Sequence, residues 1–342
     1  MLEYELKSAA MKEGAIRAGI ARRETFSDAP PSADMRYEKP WANAVVSFAV
    51  TPGTGWIEDY LGKITRMVLK RKMFDINHEV YRIGSIIEER LKAAGFKAHN
   101  IIPNGIYRPD HTFEKEVPDH DLKPPLSLRY MAVGAGVGKF GWSGNVMVPG
   151  VWSNAYLGGV LTDALLEPDP LLEENLCDDC RICANVCPVG FIHKKEKTSV
   201  MIGGREHVYN KKHGDLRCLI GCGGYTGLSE NGKWSSWSTG RTTLPDDDLQ
   251  LPDLFVRLRD DQANVEATRN LTFGSRGILD RPFENAKPTC NQCLIVCSGP
   301  MEHRRKLMDL LFSSGVVELD EQGHEVVIRP EDKSLHQGSL SG

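Results

Sequence analysis

The uneven placement of nine cysteines constrains this chain more than any other feature. Four lie within residues 177–187, two at positions 218 and 222, and three within 290–297, while the first 176 residues have none. The first group reads Cys177-Asp-Asp-Cys180-Arg-Ile-Cys183-Ala-Asn-Val-Cys187-Pro188, which is C-x2-C-x2-C-x3-C-P. The last reads Cys290-Asn-Gln-Cys293-Leu-Ile-Val-Cys297, which is C-x2-C-x3-C. Nine cysteines in 342 residues are few for a disulfide scaffold. The N-terminus is broken by charge every few positions and lacks the apolar core and small-residue cleavage site of a secretory signal. Arg22-Arg23 is followed by Glu-Thr-Phe-Ser-Asp, not by an apolar run. No stretch approaches ~18 consecutive apolar residues, so no membrane partner is expected. The expected setting is the cytoplasm, where clustered cysteines bind metal more often than they pair.

Composition narrows the class. Hydrophobic residues make up 41% and charged residues 26%, which excludes a disordered, collagen-like or coiled-coil chain. The length suggests two domains, at roughly 150 residues each. The formal charge of −4 gives no hint of nucleic-acid binding, and no such partner is expected.

Residues 2–19 read as a helix with a weak apolar stripe. The segment 42–50 is rich in β-branched and small apolar residues and stops at Pro52-Gly53, so it reads as a buried strand. Helical patterns follow over 57–69 and 75–94, the second with Ile83, Ile87 and Leu91 spaced by four and Gly95 as its stop. A strand is expected over 96–102, a helix over 126–135, and a further strand within 151–166. Between them runs a glycine-rich stretch from Gly134 to Gly141. The segment 223–283 is polar and turn-rich, without sustained periodicity, and reads as an insertion lying over something; such long irregular segments are often functional. Residues 301–312 read as a short amphipathic helix, and the tail is polar from about Asp332.

The first cysteine run resembles that of bacterial ferredoxins. That resemblance implies that Cys177, Cys180 and Cys183 wrap one [4Fe–4S] cluster while Cys187 points to a second. The arithmetic then assigns Cys297 to the first cluster. The second takes Cys187, Cys290 and Cys293 and needs one more ligand, Cys218 or Cys222. The alternatives are a zinc site, which more often uses two C-x2-C pairs, and a disulfide.

Three features together resemble the cobalamin-dependent reductases, the family of epoxyqueuosine reductase and the reductive dehalogenases. The stretch Ala135-Gly-Val-Gly-Lys-Phe-Gly-Trp-Ser-Gly-Asn145 is similar to the family's A-G-L-G-x-x-G motif. Leu157-Gly-Gly-Val-Leu-Thr-Asp-Ala-Leu-Leu166 is similar to its strand ending in T-D-L-P-L. The cysteine order also matches, with Arg217-Cys218 between the two runs, and this makes Cys218 the better fourth ligand. The resemblance covers roughly residues 1–222 and 284–300. It implies an α+β fold: a nitroreductase-like cobalamin and substrate domain over 1–170, then a ferredoxin-like domain with two [4Fe–4S] clusters over 171–315, then a tail over 316–342. Gly136, Gly138, Gly141, Trp142 and Asn145 would hold the cobalamin, since glycines let backbone approach a flat macrocycle. Their bland reading is tight helix–strand packing. Trp152, Trp234 and Trp237 are further candidates for lining the cavity.

The resemblance further implies reductive cleavage of a small-molecule substrate, with electrons from an external low-potential donor of the ferredoxin or flavodoxin type. A positioned general acid would supply the proton. Asp121, in Pro118-Asp-His-Asp-Leu-Lys-Pro-Pro125, is the first candidate and Tyr107 the second. Several departures stand against a close match to either subfamily. Gly138-Lys-Phe-Gly-Trp-Ser replaces the queuosine enzymes' G-W-I-G-K-N, no helical-repeat domain follows Cys297, and no Lys or Arg occurs between Trp142 and Cys180. A pure electron-transfer or corrinoid-activating protein, or an epoxyqueuosine reductase acting on tRNA, are the alternative functions. The basic run Arg304-Arg305-Lys306 reads as a solvated face.

Overall fold

Four antiparallel strands carry the N-terminal half. They are β1 (Arg17–Arg22), β2 (Ala44–Val50), β3 (Ala98–Asn100) and β6 (Tyr156–Thr162), in the order β1-β2-β6-β3. The computed structural model describes residues 1–103, 124–260, 278–280 and 282–330. All seven residues of β2 are buried, as expected of a strand covered on both faces. Its side chains alternate: Ala44, Val46, Phe48 and Val50 enter one core, while Val45 and Ala49 enter the other. The first core is closed by the helices Leu2–Lys12 and Met67–Ala93, through Leu6, Ala10, Ile76, Val80, Ile83, Ile87 and Leu91. The second is closed by the helix Leu128–Gly134 and the small hairpin of β4 (Lys139–Phe140) and β5 (Val146–Met147). The chain is therefore α+β.

Two expected elements differ in extent. The first helix ends at Lys12 instead of running to 19, because Gly14 takes a φ of +111° and turns the chain into β1. The long helix is continuous from Met67 to Ala93, starting eight residues before the expected position 75. Asp121 and Tyr107 lie outside the described residues.

The cysteine-bearing half adds a long hairpin, β7 (Ile192–Ile202) with β8 (Arg205–Lys212), and the helix Asp215–Cys222. A third core joins the two halves. Trp56, Ile57, Tyr60 and Leu61 from the first half meet Ile182 and Val186 after the first cysteine run and Ile295 and Val296 in the second. Trp234 and Trp237 enter the same core, so the turn-rich segment is anchored and is not merely draped over the surface. It also contains a helix, Leu251–Asp260, which sequence periodicity did not show. The helix Met301–Ser313 and a terminal hairpin, β9 (Val316–Leu319) with β10 (Glu325–Ile328), complete this region.

Lys63 is buried where this hairpin meets the N-terminal half. It is 3% exposed, and its ammonium donates to the Ser314 hydroxyl. Burial, reinforced by the nearby Arg329 charge, pulls its pKa down from 10.5 to about 7. The unfolded chain then holds more protons than the folded one between about pH 7 and 10.5. The cost of this lysine is full below pH 7 and relieved as pH rises, at up to roughly 1.4 kcal/mol per pH unit. Lys63→Met is expected to stabilise the protein at pH 6, with the gain shrinking towards pH 10. Urea midpoints across that range measure it, and a gain independent of pH would contradict the assignment.

Candidate iron–sulfur centre

The nine thiols are all unpaired, and they gather into two sets. In the first, Cys177, Cys180, Cys183 and Cys297 line one pocket together with Gly141, Trp142, Arg181 and Arg304. The loop that carries the first three is sharply turned. Asp179 and Arg181 both adopt left-handed backbone, with φ of 56° and 59°, a conformation costly for non-glycine residues and concentrated at functional sites. One turn of helix, Ile182–Asn185, follows and buries Cys183. Cys297 reaches the pocket from the other run. There, Ser153 donates its backbone N–H to the Cys297 carbonyl at 2.9 Å and its hydroxyl to the Leu294 and Cys297 carbonyls.

Donors surround this pocket. The Trp142 backbone N–H points at the Cys177 sulfur at 3.3 Å, and its indole N–H donates to the His193 carbonyl at 3.0 Å. The Arg181 guanidinium stacks on the Trp142 ring, 3.1 Å from its centroid, and donates to Asp179 at 2.8 Å. Arg304 is 3% exposed; it donates to Asp178 at 2.7 Å and to the Gly299 carbonyl at 2.6 Å, and reaches the Cys180 sulfur at 3.6 Å. This corrects the reading of Arg304-Arg305-Lys306 as a solvated run, since its first member is a buried cation between thiols. Burial pushes the Cys297 thiol up to about 11, against the pull of Arg304. Burial also raises Cys183, with Cys293, Cys297, Cys177 and Cys180 adding to it. Such thiols are neutral until a metal takes the proton's place.

The second set holds Cys187, Cys290 and Cys293 with both Cys218 and Cys222. Burial pushes Cys293 up to about 12, with Cys218 and Cys187 adding to the effect. Burial likewise raises Cys187, and Cys218 contributes. Lys212 stands beside this set; burial and then Arg129 pull its pKa down to about 8, while Cys218 and Cys293 oppose them. The Thr289 hydroxyl donates to the carbonyls of Gly221 and Cys222 and so ties the helix Asp215–Cys222 to the residue preceding Cys290. Cys187 thus falls with the second run and Cys297 with the first. Among the described residues, no three His, Cys, Asp or Glu groups are gathered closely enough to hold a metal ion.

The glycines assigned to cobalamin lie close against the chain itself. A Cβ on Gly136 would collide with the Pro170 carbonyl, and one on Gly138 or Gly141 with Met147, so these glycines receive the chain's own atoms. Gly141 and Trp142 face the first thiol pocket. Asn145 closes the β4–β5 turn, its carbonyl accepting from the Gly141 N–H at 2.9 Å. Of the other tryptophans, Trp234 and Trp237 are core residues, 4% and 7% exposed. Arg304 and Thr289 had no readable motif, because the site partners they touch, Asp178 and Cys180 for one and Gly221 and Cys222 for the other, lie far away in the chain. Arg181 alone could have been noticed, being enclosed within the first cysteine run.

Comparison with known proteins agrees with the iron–sulfur reading of the first run. The 4Fe-4S binding domain family matches residues 170–193. Over 81 residues the chain is 41% identical to the epoxyqueuosine reductase of Staphylococcus aureus (strain NCTC 8325 / PS 47). That match covers 22% of this chain and about a fifth (21%) of the curated relative. Among solved structures, a catabolic reductive dehalogenase overlaps 62% of this chain and 28% of its own, at 17% identity and a TM-score of 0.42. An epoxyqueuosine reductase with a tRNA-Tyr stem loop overlaps 92% and 81%, at 15% identity and a TM-score of 0.40. Overlaps this shallow carry no argument about activity. They do remove one expectation: a relative of this kind is seen with tRNA, so excluding nucleic acid on the strength of net charge does not stand. Among the described residues, no helix is long and apolar enough to cross a membrane. The chain shares partial homology, at low coverage, with the epoxyqueuosine reductases, and it carries a 4Fe–4S motif.

Proposed function

We propose that this chain is an iron–sulfur electron-transfer protein that holds two [4Fe–4S] clusters and takes electrons from an external low-potential donor. Cys177, Cys180, Cys183 and Cys297 hold the first cluster, and Cys187, Cys218, Cys290 and Cys293 the second. The observation that carries this is the crossing of the thiols, with Cys297 in the pocket of the first run. When bound, such clusters supply one-electron transfer at a potential tuned by charge, hydrogen bonds and solvent exposure. The chain's residues supply that tuning. Arg304 places a buried positive charge between Cys180 and Asp178, and the Trp142 N–H donates to Cys177. Trp142, with Arg181 stacked on it, forms part of the pocket wall. Cys183 belongs to a small apolar cluster with Trp142 and Ala184, against which Cys293 packs, so the two sets lie side by side with a short route for the electron between them. The cobalamin step is not carried forward, because the residues meant to cradle the macrocycle are turned onto the chain itself.

A second reading, epoxyqueuosine reductase-like action on tRNA, has one feature in its favour. The hairpin over 192–213 carries six Lys and Arg against two Glu, in a chain of net charge −4. Lys194, Lys195 and Lys197 on its first strand are exposed. Lysines so placed neutralise phosphates and make binding salt-dependent.

Two outcomes follow. Anaerobically reconstituted protein is expected to hold about eight irons per chain. Cys187→Ala and Cys297→Ala should each lose about half of that iron, although they lie in opposite runs. Retention of all the iron in either variant would refute the crossed assignment. For the second reading, charge reversal of Lys194, Lys195 and Lys197 should weaken tRNA binding about tenfold at low salt without altering iron content. Anisotropy titration with tRNA is the check, and unchanged affinity would count against it.

A further inference from the structure

Nine thiols are one more than two such clusters bind, and the extra one is not remote. Cys218 and Cys222 are one helical turn apart on Asp215–Cys222, with their sulfurs 3.9 Å from each other. Residues four apart share a helix face. The Thr289 hydroxyl, at 3.1 Å from the Gly221 carbonyl and 2.9 Å from that of Cys222, holds the end of this helix beside Cys290. The Cys222 side chain therefore has Cys218 on one side and Cys290 within hydrogen-bonding reach on the other. Cys222 is also the exposed member of the five, the other four being half-buried.

An independent feature points to the same place. Tyr60 is 1% exposed and its hydroxyl has no hydrogen-bond partner among the described residues. Trp237 locates it: the Trp237 backbone N–H donates to the Thr289 carbonyl and its indole N–H to the Tyr60 carbonyl, both at 2.9 Å. The Tyr60 ring centroid lies 6.1 Å from that of Trp237, and Thr289, which Trp237 bonds, adjoins Cys290 and holds the Cys222 carbonyl. A buried O–H calls for an acceptor. A thiolate or an inorganic sulfide on the Cys222 side of the second set supplies one, whereas an unliganded Cys222 thiol is a weak acceptor.

We propose that Cys222 shares the fourth ligand position of the second cluster with Cys218, so that either residue can hold it. In the exchange, the iron–sulfur bond to Cys218 breaks and one to Cys222 forms. A proton passes from the Cys222 thiol to the released Cys218 thiolate, and no electron moves. This inference rests on the two-cluster reading above.

The test is anaerobic reconstitution of the full chain with iron and sulfide, followed by iron analysis and low-temperature EPR of the reduced protein. Cys218→Ala and Cys222→Ala should each keep about eight irons, and the double variant should fall to about four. The first cluster's four irons report folding in every variant. A Cys218→Ala protein that holds only about four irons overturns the proposal. Wild-type protein that holds four or fewer overturns the two-cluster reading instead. If Cys218→Ala cannot be recovered, Cys222→Ala decides. Loss of one of two second-cluster EPR species supports the exchange, and a spectrum superimposable on wild type overturns it.

Discussion

The structure depends on a closure: thiols about a hundred residues apart must meet in one place. Cys297 has to enter the loop of Cys177–Cys183, and Cys187 has to leave its own run for Cys290 and Cys293. Closing a loop that long is entropically costly, though the cost grows only slowly with length. Apolar burial opposes it. Ile182 and Val186 on one run and Ile295 and Val296 on the other share a core with Trp56, Tyr60, Trp234 and Trp237. Hydrogen bonds then fix the register. Ser153 holds the Cys297 carbonyl, and Thr289 holds the end of the helix that bears Cys218 and Cys222. The sheet and its two covering layers position Ser153 and Trp142, so the N-terminal half supports the thiol site directly.

Charge is the second constraint. In the proposed two-cluster state, eight thiolates and the sulfides they surround would form a concentration of negative charge that burial alone disfavours. The chain places cations against it, with Arg304 beside the first set and Lys212 beside the second. Arg304 makes three contacts from a buried position, the arrangement in which an arginine's planar fork is more useful than a lysine's point charge.

Part of the site was legible in the cysteine runs. Their resemblance to bacterial ferredoxins implied a crossed pairing, and Cys297 does line one pocket with Cys177, Cys180 and Cys183. The buried strand over 44–50 and the long helix ending at Ala93 were legible too, because apolar periodicity reports burial directly. The glycine-rich stretch was open to two readings, a cofactor cradle or tight packing. A glycine marks only that something comes close, and here the Pro170 carbonyl and Met147 do so. The turn-rich segment also hid its role, since two isolated tryptophans show no period even when both are core residues. Arg304 was lost in a basic run, because the sequence cannot reveal that Asp178 and Cys180 lie against one of its three members.

The central claim is that two clusters lie side by side, next to the small apolar cluster that holds Cys183 and packs against Cys293. Low-temperature EPR of the fully reduced protein tests it most directly. Two neighbouring reduced clusters should integrate to about two spins per chain, with lines broadened or split by their mutual magnetic coupling. A simple, unsplit signal integrating to about one spin per chain would contradict the account.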